Sequence, residues 1–580
     1  MSRQARSHLG VLLAFIVTSL VVTFPLVLHL FDGVPYGGDA FQFIWNAWWF
    51  DRATGDPSLS LYSTPFQYFP YGGSLYLHDF SVLNAFLIAK VVGFLGDFGS
   101  YNIIVLFHYV LAAWGAYILA FYMTGNRSAS VVAGFIYGFS TFHAMHLSQL
   151  GTVSLGWLPL AIYYLVKYVR DGGWRDGLLA ILMLLACAWS HWYHIVFAAF
   201  IFLLVLIFGS RVLRAEGSDV KKSIVRKRWF RVILPWLAAL AVLTPLIVPT
   251  IGDISRIPMF DRVSIGSFYK LDPAWLMLPP PDHPVLGKIS EGMTDSLPHF
   301  EAVPVQISQG EISTESVEGA KTEGVVCIGI TAIILGLLSW FRRNPTTRMW
   351  CWIGLISILF AYGNELTIFG WDTGIPGPYA IWQKIPFLNM VRIPSRFMEP
   401  FLLALAMSAA GFIAGLNPRW LKGNKRIFLL WIIPAVIILE TLVIPIPISG
   451  SEYRHDALTR VDEIYMQATG SSEPPQLAIN FPSFPPYTVY LYHQTLHELP
   501  TIDGSLAVPP ADAYYRMMYY NWDRQAVIED GADVIFYHHE MVDDAVREFV
   551  EMPEDVIGFI RDELGYTVAY EDEDLAILIP

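Results

Sequence analysis

Tyr36-Gly-Gly-Asp-Ala-Phe-Gln-Phe-Ile-Trp-Asn-Ala-Trp-Trp-Phe50 follows closely on a long apolar run, Leu9 to Phe31. That run is long enough to cross a bilayer, so Asp39 stands a few residues past a membrane span, at the boundary of lipid and water. Trp45, Trp48 and Trp49 are the side chains expected at headgroup depth. A carboxylate in this position suits an enzyme that deprotonates a hydroxyl while holding a lipid substrate. Asp39 equally suits the N-cap of a helix opening at Ala40, with Gly37-Gly38 as the turn before it. The two roles are compatible.

The rest of the chain has the same membrane character. Of its 580 residues, 54% are hydrophobic and 15% charged, whereas a soluble domain is nearer one quarter charged. Cys187, Cys327 and Cys351 all fall in apolar runs, so no disulfide framework is expected. The formal charge of −13 is uneven: from Pro447 onward there are 25 acids against 6 Lys and Arg. So acidic a tail repels nucleic acid and anionic lipid, and neither is expected as its partner.

Spans are expected near 9–31, 100–123, 128–147, 152–169, 176–191, 193–210, 232–252, 323–341, 348–364, 397–416 and 427–446. Arg3 and Arg6 place the N-terminus in the cytoplasm, and the first span reads as a retained signal anchor. With eleven spans, the basic connections all fall on that side: Arg127, Lys167 to Arg175, Arg211 to Arg231, Arg342 to Arg348 and Arg419 to Arg426. Counting 80–94 as a further span would break that agreement. It reads instead as an amphipathic helix on the outer surface, suited by Asn84 and Lys90. The expected architecture is therefore a polytopic α-helical membrane protein of the plasma membrane, with a membrane domain over 1–446. Its outer loops are 32–99, 253–322 and 365–396. An extracytoplasmic acidic α/β domain follows over 447–580. In that tail, strands are expected at Leu477–Phe481, Thr488–Tyr492, Val534–Tyr537 and Leu575–Ile579, with helices over 511–528 and 543–563.

Several polar side chains gather at the outer ends of these spans. His78-Asp79 either caps the surface helix or stands with Asp39 over a substrate groove, where two acids could hold a divalent cation. His143 and His146, three apart on one helical face and followed by Gln149, suit a metal, a phosphate or sugar hydroxyls, or are simply satisfied interfacial histidines. His191, in Ser190-His-Trp-Tyr-His194, forms a second such patch. Arg392 and Arg396 sit on the side where the positive-inside rule does not place them, so they suit phosphate contacts or snorkelling to headgroups. Asn126-Arg-Ser128 spells a glycosylation triplet but falls in a cytoplasmic turn. No Walker loop, dinucleotide fingerprint, HExxH or GxSxG is present.

With these residues the chain resembles the integral-membrane glycosyltransferases of the GT-C fold, which include the protein mannosyltransferases, the lipid A aminoarabinose transferase and a less-studied prokaryotic branch. The resemblance is carried by the N-in first span, a first outer loop opening with Gly-Gly-Asp39, the surface helix and the tightly spaced spans to about Arg170. Val391-Arg-Ile-Pro-Ser-Arg-Phe397, the loop holding His-Pro-Val-Leu-Gly287 and an outward C-terminal domain are similar to the prokaryotic branch. The resemblance implies a polyprenyl-phosphate-linked sugar as donor, an acceptor (lipid, polysaccharide or protein) on the outer side, and Asp39 as catalytic base. Where many members carry a further acid in the second outer loop, this chain has His143, His146 and Gln149; no cofactor is certain, and a divalent metal is possible. The rival classes are a transporter or lipid flippase, which would place ionisable residues mid-span, and a non-catalytic membrane assembly protein.

Overall fold

The structure, a computed structural model, describes residues 3–37, 39–209, 213, 222–256, 269–280, 282–295, 326–385, 388–416, 424–481, 488–504, 531–539 and 555–580. The tail helix expected over 511–528, most of the one over 543–563 and much of the loop 253–322 lie outside the described residues. Among the described residues, five helices are long and apolar enough to cross a membrane: Ala5–Val22, Gly93–Thr124, Leu150–Asp171, Trp229–Asp253 and Pro394–Ala414. Shorter apolar helices occupy Val82–Val91, Trp192–Phe208, Ile330–Ser339 and Trp431–Thr441. The chain divides into two compact units. One comprises Met1–His29, Asn102–Pro245 and Met259–Pro447; the other comprises Leu30–Tyr101, Leu246–Pro258 and Ile448–Pro580.

The first unit is a helical bundle centred on Met398–Ala414. That helix is apolar on nearly every side and packs against Arg127–Gly138, Ile330–Ser339 and Pro345–Ala361. Gly134 and Gly138 let the helix Arg127–Gly138 approach its neighbour closely. A Cβ at Gly138 would fall 2.6 Å from that of Ala113, and one at Gly134 would fall 2.9 Å from the Ala113 carbonyl oxygen. This is the small-residue contact by which membrane helices pack. Asn126 has a structural use: its side chain accepts from the Ala129 N–H at 3.2 Å and caps that helix. Helices Trp157–Asp171 and Trp174–Ser190 form a tight hairpin, closed by Gly172 in the left-handed conformation and by a Lys167–Asp176 ion pair of 2.8 Å.

The second unit joins the segment Leu30–Tyr101 to the tail. Gly33–Pro35 pairs antiparallel with Ile448–Gly450. A four-stranded sheet runs in the order Ala478–Phe481, Val534–His538, Leu575–Ile579, Thr567–Glu571, its first pair parallel and the others antiparallel. Ile535 and Tyr537 face the helix Val556–Leu564; Val534 and Phe536 face Leu458 and Val461 on the opposite layer. Burial on both faces explains why Val534–His538 and Leu575–Ile579 are continuous apolar runs rather than alternating ones.

Three sequence expectations differ from the structure. Thr488–Tyr492 is not a strand: Val489–His497 is a helix. It lies along the helix Asp39–Gly55 and buries most of its own residues, so tertiary packing overrides the strand preference of Val and Tyr. Trp45 and Trp49 are not headgroup anchors. Both are fully buried, with Phe66, Tyr68, Phe80 and Leu491, in an aromatic core beneath the first-loop helix. Asn84 is likewise buried, donating to the Ser81 hydroxyl at 2.9 Å, while Lys90 pairs with Asp51 at the surface.

Candidate functional site

In the second unit, Asp39 lies in the first turn of the helix Asp39–Gly55 itself, half-buried, rather than ahead of it. A carboxylate there is favoured by the partial positive charge of the helix start. Gln42 and Asn46 follow at three and seven residues, on the face that Asp39 occupies. They fasten the segment His78-Asp79: the Asp79 carbonyl accepts from Asn46 Nδ2 at 2.9 Å and from Gln42 Nε2 at 3.5 Å. Asn46 Oδ1 lies 3.1 Å from His78 Nε2. Because the Asn46 amide nitrogen is turned to Asp79, its oxygen accepts from His78, and His78 therefore carries its proton on Nε2. Burial pushes the His78 imidazole down to about 4, so it is neutral at ordinary pH. Its Nδ1 is an acceptor without a hydrogen-bond partner among the described residues. Asp79 does not cap the helix that follows; that helix opens at Val82 after Ser81. In the same unit, Asp253 accepts from the Ser74 hydroxyl.

In the first unit, the structure brings Gln149 and Arg396 together. Arg396 is 4% exposed and donates from Nη2 to Gln149 Oε1 at 2.5 Å and from Nη1 to the Thr152 hydroxyl. Its guanidinium is thus held inside the bundle and does not snorkel. Arg392 is exposed, and its backbone N–H donates to the Tyr193 hydroxyl at 2.9 Å. Both ring nitrogens of His143 face backbone carbonyls, Gly138 at 2.8 Å and Val153 at 3.0 Å, and the ring stacks on Tyr109 with centroids 4.0 Å apart. His143 is therefore a packed, bonded histidine rather than an open ligand. His146 bonds the Phe142 carbonyl through Nδ1 at 2.6 Å. The ring of His191 lies 4.6 Å from that of Tyr193 and 5.3 Å from that of His194. In the Pro-rich loop, His283 is also structural: its Nε2 donates to the Leu439 carbonyl at 2.9 Å, and its Nδ1 accepts from the Leu286 N–H at 3.0 Å.

Sequence reading missed one pair. His194 Nε2 stands 3.2 Å from Glu399 Oε2, with both side chains wholly buried. The signal was present, since Glu399 is the sole charged residue in the run 397–416. Among the described residues, no group of three or more His, Cys, Asp or Glu side chains is placed to hold a metal.

No family model matches the chain, and no curated protein matches it. Solved structures do. The arabinofuranosyltransferase AftD from Mycobacteria aligns with 100% of this chain and 40% of its own, at 12% identity and a TM-score of 0.55. This chain therefore spans less than half of that protein. The oligosaccharyltransferase of Archaeoglobus fulgidus, in its apo form, aligns over 92% of this chain and 70% of its own, at 12% identity and a TM-score of 0.50. The ArnT of Cupriavidus metallidurans bound to undecaprenyl phosphate aligns over 98% of both chains, but its TM-score of 0.40 is too low to carry an argument. At such identities the likeness is one of fold alone, shared with the arabinofuranosyltransferase and the oligosaccharyltransferase.

Proposed function

We propose that this chain is a membrane glycosyltransferase that moves a sugar from a polyprenyl-phosphate-linked donor to an acceptor on the extracytoplasmic side, with Asp39 as general base. The observation that supports it most is the face of the first-loop helix. An acid in its first turn is followed by two amides that fasten His78-Asp79 alongside, in a chain that aligns over its full length with an arabinofuranosyltransferase. In the proposed step, Asp39 takes the acceptor hydroxyl proton as that oxygen bonds to the anomeric carbon. The carbon–oxygen bond to the donor phosphate breaks, and its electron pair leaves on the lipid phosphate. A phosphate is already a good leaving group, so the main task of the site is to orient and deprotonate the acceptor. Arg392, exposed, is the proposed ligand for the phosphate charge. Arg396, engaged with Gln149 and Thr152, keeps the segment that bears Arg392 in place.

The test is turnover of a panel of polyprenyl-phosphate sugars by the protein in lipid, wild type beside Asp39→Asn. Donor consumption, including slow hydrolysis, is expected to vanish in the variant while the protein stays in the membrane. Full activity of Asp39→Asn overturns the assignment.

A second reading, transport, draws on the buried Glu399–His194 pair, although both residues stand in the first turns of their helices, Met398–Ala414 and Trp192–Phe208, rather than mid-span. It requires flux across sealed vesicles that Glu399→Gln abolishes and Asp39→Asn leaves intact.

A further inference from the structure

Among the described residues, the tail grips the helix that begins with Asp39 near its start, at its middle and near its end. Near the start, Phe41 stacks on Tyr492 with centroids 5.5 Å apart. Near the end, Arg52 pairs with Glu498 at 2.9 Å, both partly exposed. Between them, Trp45 Nε1 donates to Gln494 Oε1 at 2.8 Å, with both side chains wholly buried. These contacts differ in what they fix. A stack sets spacing but tolerates sliding, and a surface ion pair contributes little. A buried directional bond fixes axial position and rotation together.

Gln494 is unusually well fastened for that task. Its Oε1 also accepts from Gln67 Nε2 at 3.0 Å. Its Nε2 faces the Phe66 carbonyl at 2.6 Å, the Leu499 carbonyl at 3.0 Å and the Thr501 hydroxyl at 3.3 Å. Every donor and acceptor of the amide is used, so it cannot rotate without breaking bonds on both the loop and the tail. Backbone pairing runs alongside: Thr501 N–H to the Phe66 carbonyl at 2.9 Å and Phe69 N–H to the Thr501 carbonyl at 3.0 Å. Asp39 stands six residues before Trp45, about 9 Å along the helix axis, so any slip of the helix on the tail moves the carboxylate by a like amount.

We propose that Gln494 is a positioning residue for Asp39: through Trp45 it sets the register of the first-loop helix on the tail, and so the place of the proposed base. This rests on the reading of Asp39 given above.

The test uses the full chain in lipid, with Gln494→Met, Trp45→Phe, the double variant and Asp39→Asn. Trp45→Phe removes the same bond without altering the tail, which covers the case in which Gln494→Met fails to fold. Two readouts are taken: donor turnover, and backbone hydrogen exchange of 40–50 with 478–481 as internal control. Each single variant is expected to lower kcat roughly ten- to hundredfold, the cost of about 1 Å of misplacement, with donor KM within about twofold. Exchange of 40–50 should rise while that of 478–481 does not, and the double variant should be no worse than the worse single. Unchanged exchange over 40–50 overturns the positioning role whatever Asp39 does. Raised exchange with wild-type kcat overturns its bearing on catalysis. Turnover surviving in Asp39→Asn overturns the base assignment alone, and the exchange data then still decide whether Gln494 holds the helix.

Discussion

Arg396 donates from Nη2 to the side-chain oxygen of Gln149 at 2.5 Å, joining residues 247 positions apart. The bond lies inside the bundle, with the Thr152 hydroxyl on the neighbouring Nη1. A planar guanidinium serves two acceptors at once, which an ammonium does less well. Gln149→Leu should therefore lower the stability of the detergent-solubilised protein by about 1–3 kcal/mol, the usual cost of orphaning a buried donor. Arg396→Lys should be destabilising despite keeping the charge. Thermal unfolding followed by tryptophan fluorescence measures both, and an unchanged midpoint in Gln149→Leu would show that the bond carries no weight.

The Glu399–His194 pair should be strongly non-additive. His194→Phe takes away the polar side chain that stands 3.2 Å from the wholly buried Glu399 carboxyl, and orphaning a buried polar group costs about 1–3 kcal/mol. Glu399→Gln keeps a polar group of the same shape beside His194 and should cost less. His194→Phe combined with Glu399→Leu leaves neither polar group behind and should be closer to wild type than His194→Phe alone. The yield of folded protein extracted from membranes, with its melting midpoint, ranks the three. A stable His194→Phe single variant would contradict the argument.

These two clusters show where sequence carries information and where it does not. Arg396 stands out in the sequence because the positive-inside rule does not place a basic residue on its side, while the role given to Asp39 rests on its boundary position and on the resemblance. Glu399 was missed, although as the sole charged residue in the run 397–416 it left a signal. The strands at 534–538 and 575–579 are legible because runs buried on both faces are apolar throughout. Gln494 leaves no local signal, since its partner Trp45 lies 449 residues away. The helix Val489–His497 defeats local reading for a related reason. Its Val and Tyr residues favour a strand, and packing against the first-loop helix decides otherwise.

The tail should lose stability in acid. His493 and His538 stack with centroids 4.8 Å apart, and His497 packs on Phe536. Burial pushes His497 down to about 3 and holds His493 and His538 well below 6.5, with neighbouring histidines, His455 among them, adding to the shift for those two. Folded values below unfolded ones mean that, as pH falls through 6.5, the unfolded chain binds protons that the folded tail refuses. Stability is therefore lost progressively from pH 6.5 downward. Asp503 opposes this: burial raises it from 3.8 to about 6, so the folded tail gains a proton between those values. Three histidines outweigh one carboxylate, and the net sign is destabilising. Asp503→Asn removes the opposing contribution and should steepen the loss between pH 6 and 4. Hydrogen exchange over 478–481 and 534–538 at a series of pH values reads the effect directly. Protection that is flat from pH 7.5 to 4.5 would refute it.

Arg392 separates donor recognition from membrane anchoring. Its side chain is exposed beside a segment pinned by the Tyr193 hydroxyl, so its backbone position is fixed while its guanidinium is at the surface. A charge-assisted contact to a lipid phosphate is worth about 1.5–3 kcal/mol, which at 1.4 kcal/mol per decade is roughly ten- to hundredfold in affinity. Arg392→Ala should raise the apparent KM for a polyprenyl-phosphate sugar by that factor. Arg392→Lys should recover part of it, since the charge returns without the fork. Melting should fall only slightly, since among the described residues the exposed side chain touches the core only at the Tyr193 hydroxyl, which the Arg392 backbone N–H continues to hold. If the KM of Arg392→Ala is that of wild type while its partitioning into anionic vesicles weakens, the guanidinium serves the headgroup layer rather than the donor.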